Sequence, residues 1–387
     1  MIASLAKYLP KWYCAQRIIT TLVQEKFIIE LFLKSLEITI VPVFDLVDFD
    51  NHEQVVYCSD NASGLKAIIA VHSTALGPAA GGCRFWDYVS DEAALKDVLR
   101  LSKGMTYKNA MAGLKLGGGK GVIIGDPKTL KSEALFKAFG HAVNNLNGRY
   151  YTAEDVNITT GDMAIVNQCT EFVSGLEGKS GNPGPFTALG TFLGIKAAVK
   201  FKLGIDDLSG IKVAVQGLGS VGYSLCEKLH AAGAKLYVTD INPVALDKAE
   251  KELNATVVGL DEIYRQDVDV FSPCALGASI NDESIAQLKA KIIAGCANNQ
   301  LAESRHDKAL QEKGILYAPD YVINAGGIIN VALEIYPEPY CAQSATKLVE
   351  NIYNTLMTVF ETAASNHMPT GFIADEMARN IIANGAK

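Results

Sequence analysis

The sequence predicts an α/β protein of two parts: an N-terminal mixed sheet and a C-terminal doubly wound parallel sheet, with a cleft between them. Three observations carry this. The chain has 387 residues, long for a single core and natural for two. Its second half alternates short β-branched runs with helical stretches, the pattern of a parallel sheet covered on both faces. Its first half instead sets two short β-branched runs on either side of a turn and then mixes strands and helices around one sheet.

Val55–Cys58 and Leu65–Val71 read as those first strands, separated by the turn residues Ser59-Asp-Asn-Ala-Ser-Gly64. Ser90 reads as a helix N-cap, with Ala94, Leu95, Val98 and Leu101 following at helical spacing. Gly121–Gly125 reads as an apolar strand, Phe136–Leu146 as a helix and Tyr150–Thr152 as a strand. Gly181-Asn-Pro-Gly-Pro185 is the best linker, and Thr187–Val199 a helix after it. In the second half, strands are read at 211–216, 235–239, 268–271, 292–295 and 315–318, and helices at 219–232, 243–253 and 281–290. From Leu333 the pattern is helical to the end, with Leu348, Ile352, Leu356 and Phe360 four apart. The resulting division is an extension at 1–42, poorly ordered or loosely helical, a first domain at 43–185, a second at 186–332, and C-terminal helices at 333–387 that bridge the two.

Composition removes several classes. A net charge of −7 argues against a nucleic-acid binder, which needs a basic face. No run of 18 apolar residues exists for a membrane span, and the apolar stretch at 27–33 is interrupted by acids, unlike a signal peptide. The eight cysteines show no CxxC spacing and the six histidines no HExxH, so neither a disulfide framework nor a metal site is expected, and a reducing cytoplasm fits.

Two motifs carry chemistry. Gly217, Gly219 and Gly222 follow the strand Ile211–Gln216 and open a helix, which is the context a dinucleotide turn needs. Gly217 allows the tight turn, Gly219 lets backbone approach a pyrophosphate, and Gly222 permits close helix–strand packing. Asp240 ends the next strand, where an acid accepts ribose hydroxyls and repels a 2′-phosphate, so NAD is favoured over NADP. A nucleotide domain binding another ligand, or none, remains the alternative.

The second motif is Lys103-Gly-Met-Thr-Tyr-Lys108 with Gly117-Gly-Gly-Lys120. Lysines beside glycines are usually solvated. These are flanked by Met105, Ala110, Met111 and Leu116, too apolar for an exposed loop. A lysine desolvated there beside a second cation has its pKa lowered toward neutrality and can serve as a general base, while the other holds a carboxylate. Asp155, in Thr152-Ala-Glu-Asp155, is either a helix N-cap or the acceptor for a substrate ammonium. Together the three suit a zwitterion.

At these residues the sequence resembles the glutamate/leucine/phenylalanine/valine dehydrogenase superfamily, from about Val43 to the C-terminal helices. The branch with leucine, valine and phenylalanine dehydrogenases fits best, leucine dehydrogenase above all. The shared runs are Leu76–Arg84, Gly104–Lys108, Gly117–Lys120, Thr152–Asp155, Cys274–Ala278, Ala297–Gln300 and Pro319–Gly327. The resemblance implies that Lys108 binds the substrate carboxylate with backbone help from Gly82. It implies that Lys120 is the general base, assisted by Asp155, that Asn298 contacts the nicotinamide and Asp240 the ribose, and that Asn324 contacts substrate or cofactor, unless it is simply a turn asparagine. The implied side-chain pocket is Ala80, Met105, Ala153, Ile328 and Val331. Ala80 replaces a larger residue of the leucine enzymes, and Ile328 a valine. Asn157 stands where glycine is usual and Leu189 where tyrosine is common. The implied activity is reversible, NAD-dependent oxidative deamination of an apolar L-amino acid to its 2-oxo acid and ammonium, with leucine, valine and isoleucine favoured over aromatic substrates and over a catalytically silent relative. A homo-oligomer built through the first domain, an octamer being the candidate number, and a cytoplasmic location are implied with it.

Overall fold

The computed structural model describes residues 42–275 and 277–385, so the predicted extension lies almost wholly outside the described residues. The chain divides into two units, Met1–Val47 and Asp48–Lys387. Of the first, the described part holds one short 3-10 turn, Val43–Asp45. The second unit contains two six-stranded sheets.

The first sheet is mixed. β1 (Gln54–Asp60) and β2 (Leu65–Ser73) form an antiparallel pair. β3 (Ala79–Ala80), β4 (Cys83–Trp86), β5 (Gly117–Ile124) and β6 (Tyr150–Tyr151) complete it in the order β1-β2-β5-β3-β6, with β4 paired to β5. β5 is antiparallel to β2 and parallel to β3 and β4. Between β4 and β5 runs helix α1, Asp91–Met111. Ser90 caps it as predicted, its hydroxyl accepting from the Ala93 N–H at 3.1 Å, a contact worth about 1 kcal/mol. Gly113, with φ +69°, ends it.

β5 corrects the sequence reading: Gly117, Gly118 and Gly119 lie inside the strand, ahead of the predicted start. A Cβ on Gly118 would stand 2.1 Å from the Thr106 nitrogen in α1, and one on Gly119 would stand 2.7 Å from the Tyr150 ring. The absence of a side chain at Gly118 lets α1 lie directly on the sheet, and its absence at Gly119 admits the Tyr150 ring. Asn109 fixes the contact, its Nδ2 donating to the Gly117 carbonyl at 2.6 Å.

The second sheet is parallel throughout: β7 (Lys212–Gln216), β8 (Lys235–Thr239), β9 (Thr256–Val257), β10 (Val270–Pro273), β11 (Ile292–Ile293) and β12 (Leu316–Tyr317), ordered β12-β11-β10-β7-β8-β9. β9 was not foreseen: two exposed residues give no apolar run. The strand order reverses between β7 and β10, and ligand crevices open there, beyond the carboxyl ends of the strands. Helix α2 (Gly184–Leu203) begins inside the predicted linker, and α3 (Ser220–Ala231) follows β7.

The C-terminal region departs from the prediction. Leu333–Cys341 is not helical, because Pro337 and Pro339 interrupt it, and the spaced apolar residues fall on two helices, Ala342–Glu350 and Ile352–Asn366. The last helix, α4 (Thr370–Gly385), returns to α1, where Arg379 donates to the Tyr107 hydroxyl at 3.2 Å. Among the described residues no helix is long and apolar enough to cross a membrane.

Candidate active site

α1, β5 and the segment after β6 each deliver one charged side chain to a cleft of about 460 Å³. Lys108 comes from the last turn of α1 and Lys120 from the middle of β5, and Asp155 follows the bridge that pairs Glu154 with Cys83. Gly82 makes room for that bridge: a Cβ there would meet the Glu154 carbonyl oxygen at 2.5 Å and the Asp155 Cβ at 2.9 Å.

Lys120 is 5% exposed, and its Nζ lies 2.8 Å from Asp155 Oδ2. The same oxygen faces Arg84 Nε at 3.4 Å. Burial pushes Asp155 up, but the Lys120 ammonium and the Arg84 guanidinium overcome it and hold the carboxyl below the usual aspartate value. Arg84 is held in turn by Asp97, at 2.8 Å, which also accepts from the Tyr88 hydroxyl. Its role was missed although it ends the run Leu76–Arg84: the sequence shows the arginine but not the two acids, 13 and 71 residues away, that it joins.

The lowered lysine pKa predicted for a general base falls on Lys108. Burial brings it down to about 8, against the pull of Asp320. Asp320 is itself pushed up by burial, although the N–H groups of Gln300 and Tyr321 donate to it at 2.9 and 2.6 Å. It too was missed, for the same reason.

Gly82, Met105, Lys108, Lys120, Ala153, Asp155, Asn298, Asn324, Ile328 and Val331 all line the cleft, so the structure brings together most of the expected residues. Ala80 is not among them. It is 1% exposed, packs into the core and accepts weakly from Asn109. Leu189 likewise packs against the core, away from the cleft. Asn157 adopts φ +61°, a left-handed conformation that asparagine tolerates in place of glycine, and its Nδ2 donates to the Phe85 carbonyl at 3.0 Å. One cation not foreseen, Arg100, sits at the exposed rim beside Asp97.

The glycine turn forms a separate group of residues. Gly217 has φ +102°, and a Cβ on Gly222 would stand 2.1 Å from its carbonyl oxygen, so helix and strand pack tightly. Gly219 is the N-cap of α3, and a Cβ there would meet nothing within 4 Å. An open helix N-terminus of this kind accommodates a phosphate. Asp240 accepts from the Leu218 N–H at 2.5 Å and the Asn242 N–H at 2.7 Å, which places its carboxylate at the turn. Asn324 donates to Asn298 Oδ1 at 2.7 Å and to the Cys296 carbonyl at 3.1 Å, while its own Oδ1 is buried with no partner. An orphaned acceptor on a cleft wall suits the donor of a ligand amide. The residues present thus fit a nicotinamide dinucleotide. No cluster among the described residues could hold a metal ion.

Comparisons with known proteins identify the relatives of the chain. A family profile for the Glu/Leu/Phe/Val dehydrogenase dimerisation domain matches residues 52–172, and one for Glutamate/Leucine/Phenylalanine/Valine dehydrogenase matches 244–370. A leucine dehydrogenase from Bacillus cereus is 55% identical over 345 residues, 88% of this chain and 94% of its own. A phenylalanine dehydrogenase from Lysinibacillus sphaericus is 47% identical over 341 residues, covering 86% of this chain and 89% of its own. The crystal structure of L-tryptophan dehydrogenase from Nostoc punctiforme superposes with a TM-score of 0.78 at 48% identity, covering 87% of this chain and 97% of that one.

Proposed function

The chain belongs to the Glu/Leu/Phe/Val dehydrogenase family and is an amino acid dehydrogenase, and on that premise we propose that it interconverts branched-chain aliphatic L-amino acids and their 2-oxo acids with NAD. The observation that carries this reading is that Lys108, Lys120 and Asp155 share one cleft with the apolar side chains of Met105, Ala153, Ile328 and Val331. The balanced reaction takes an L-amino acid, NAD and water to a 2-oxo acid, ammonium, NADH and a proton.

Lys108, protonated below about pH 8, holds the substrate carboxylate. Asp155 accepts from the substrate amine, which aligns Cα. When bound, NAD accepts the hydride that leaves Cα. Lys120 then takes the proton of the water that adds to the substrate imine, and Asp155, 2.8 Å from its Nζ, shares that proton. Arg84 keeps Asp155 ionised for both roles. The turn at Gly217, Gly219 and Gly222 would hold the pyrophosphate, Asp240 the ribose, and Asn298 with Asn324 the carboxamide end. A homo-oligomer and a cytoplasmic location belong to the same proposal.

The test is cofactor reduction with L-leucine, L-isoleucine, L-valine, L-phenylalanine, L-tryptophan and L-glutamate, each with NAD and NADP. Aliphatic substrates with NAD are expected to lead in kcat/KM by at least about tenfold, the scale of a few methylene contacts. Preference for an aromatic substrate would move the specificity toward the phenylalanine and tryptophan enzymes. Equal use of NADP would remove Asp240 from its role.

A further inference from the structure

Two cysteines meet where the parallel sheet opens. β10 and β11 pair Val270 with Ile292 and Phe271 with Ile293, and beyond the ladder the Ala297 N–H still donates to the Pro273 carbonyl at 3.0 Å. This brings Cys274 and Cys296, each just past its strand, side by side. Both are free thiols and neither is fully buried; Cys296 lines the cleft. Adjacent strands lie about 4.7–4.9 Å apart, inside the roughly 4.4–6.8 Å that a disulfide spans between Cα atoms.

The pair touches both halves of the dinucleotide crevice. The Cys274 N–H donates to Gln216 at 2.7 Å, a Cβ on Gly222 would stand 3.3 Å from the Cys274 Cβ, and a Cβ on Gly217 would stand 2.8 Å from the Ala275 nitrogen. Cys296 gives its carbonyl to Asn324 and stands two residues before Asn298.

We propose that Cys274 and Cys296 are a peroxide-sensitive thiol pair whose oxidation to a disulfide closes the dinucleotide crevice. The inference rests on the dinucleotide reading of the crevice and adds a modification site to it. The side-chain hydrogen bond between the two thiols lowers Cys274 and raises Cys296, so Cys274 supplies the thiolate. That thiolate attacks hydrogen peroxide, breaks the O–O bond and becomes a sulfenic acid with release of hydroxide. The Cys296 sulfur then attacks the Cys274 sulfur, its proton leaving with the departing hydroxyl as water. Two thiols and one peroxide give one disulfide and two waters. With the strand ends already within disulfide reach, the bond turns the Cys296 sulfur from the cleft wall onto Cys274 and ties the glycine turn, against which Cys274 packs, to the Ala297–Asn298 segment, closing the space between them.

The experiment treats the reduced full-length protein with hydrogen peroxide, maps non-reduced peptides by mass spectrometry and titrates NADH by fluorescence. The expected result is a Cys274–Cys296 linked peptide, NADH affinity weakened by at least about tenfold, or 1.4 kcal/mol, and recovery with dithiothreitol. Bound NADH should slow the linkage. C296S, compared with its own reduced state, should keep its NADH affinity through the same treatment. Absence of the linked peptide, linkage to Cys226 instead, or linkage with unchanged NADH binding overturns the proposal. Failure of the reduced protein to bind NADH overturns the dinucleotide reading and the closure with it, whereas failure to turn over any amino acid leaves both readouts intact.

Discussion

Three glycines stand in a row in the first sheet and three are spread along a turn in the second, and one of the second set, Gly219, differs in kind from the first three. Gly117, Gly118 and Gly119 are crowded: added Cβ atoms would lie 1.9 Å from Ser73, 2.1 Å from Thr106 and 2.7 Å from Tyr150. Gly219 is open, with nothing within 4 Å of an added Cβ. Gly118 lets a helix settle on a strand, which sets Lys108 of α1 near Lys120 of β5, while Gly117 and Gly119 admit the Ser73 backbone and the Tyr150 ring. The open glycine leaves space at a helix end for something that is not protein. The contrast separates residues that shape the fold from a residue that shapes only binding.

The sharpest way to break this contrast is a matched pair of alanines. G118A drives a methyl into α1 backbone and is expected to destabilise by about 3 kcal/mol or more, seen as a lost or much reduced Tm. G219A is expected to keep Tm within about 3 °C while weakening NADH binding in titrations. Equal Tm losses would erase the distinction.

A second comparison sets the two lysines against each other. K120A is expected to lower kcat by about 10³-fold, the middle of the range for a lost general base, with NADH affinity unchanged. Activity within tenfold of the unsubstituted enzyme would take the base role away from Lys120.

The smallest effect is a pH dependence. Lys108, at about 8, is cationic below that pH and neutral above it. The KM for the 2-oxo acid at saturating ammonium should therefore be flat below pH 8 and rise toward tenfold per unit above it. K108R, charged throughout, should remove the inflection, and a profile that keeps it would assign the titration elsewhere.

Much of this was legible in the chain. The alternation in the second half predicts the parallel sheet because buried parallel strands are apolar runs whatever they pack against. The lysines and Asp155 are legible because their neighbours are too apolar for a surface loop. What stays hidden is whatever depends on distant partners. Arg84 reads as one more arginine until Asp97 and Asp155 flank it. Asp320 reads as a helix-start acid until the cleft buries it with Lys108. Ala80 belongs to the side-chain pocket only by the family resemblance, and in the structure it packs into the core. The glycine run 117–119 gives no apolar strand signal, and its place in β5 is explained by what crowds it, the Ser73 backbone, the helix α1 and the Tyr150 ring.

The return of α4 to α1 has a consequence in time. The Tyr107–Arg379 contact joins residues 272 positions apart. At ribosomal speeds of 5–20 residues per second, the helix that carries Lys108 waits roughly 14 to 54 s for its partner to be made. Until then one face of that helix, and the glycine-lined strand beneath it, belong to an unfinished molecule. A chain cut short by its last eighteen residues would stay in that state permanently, its two sheets complete and its catalytic helix uncovered.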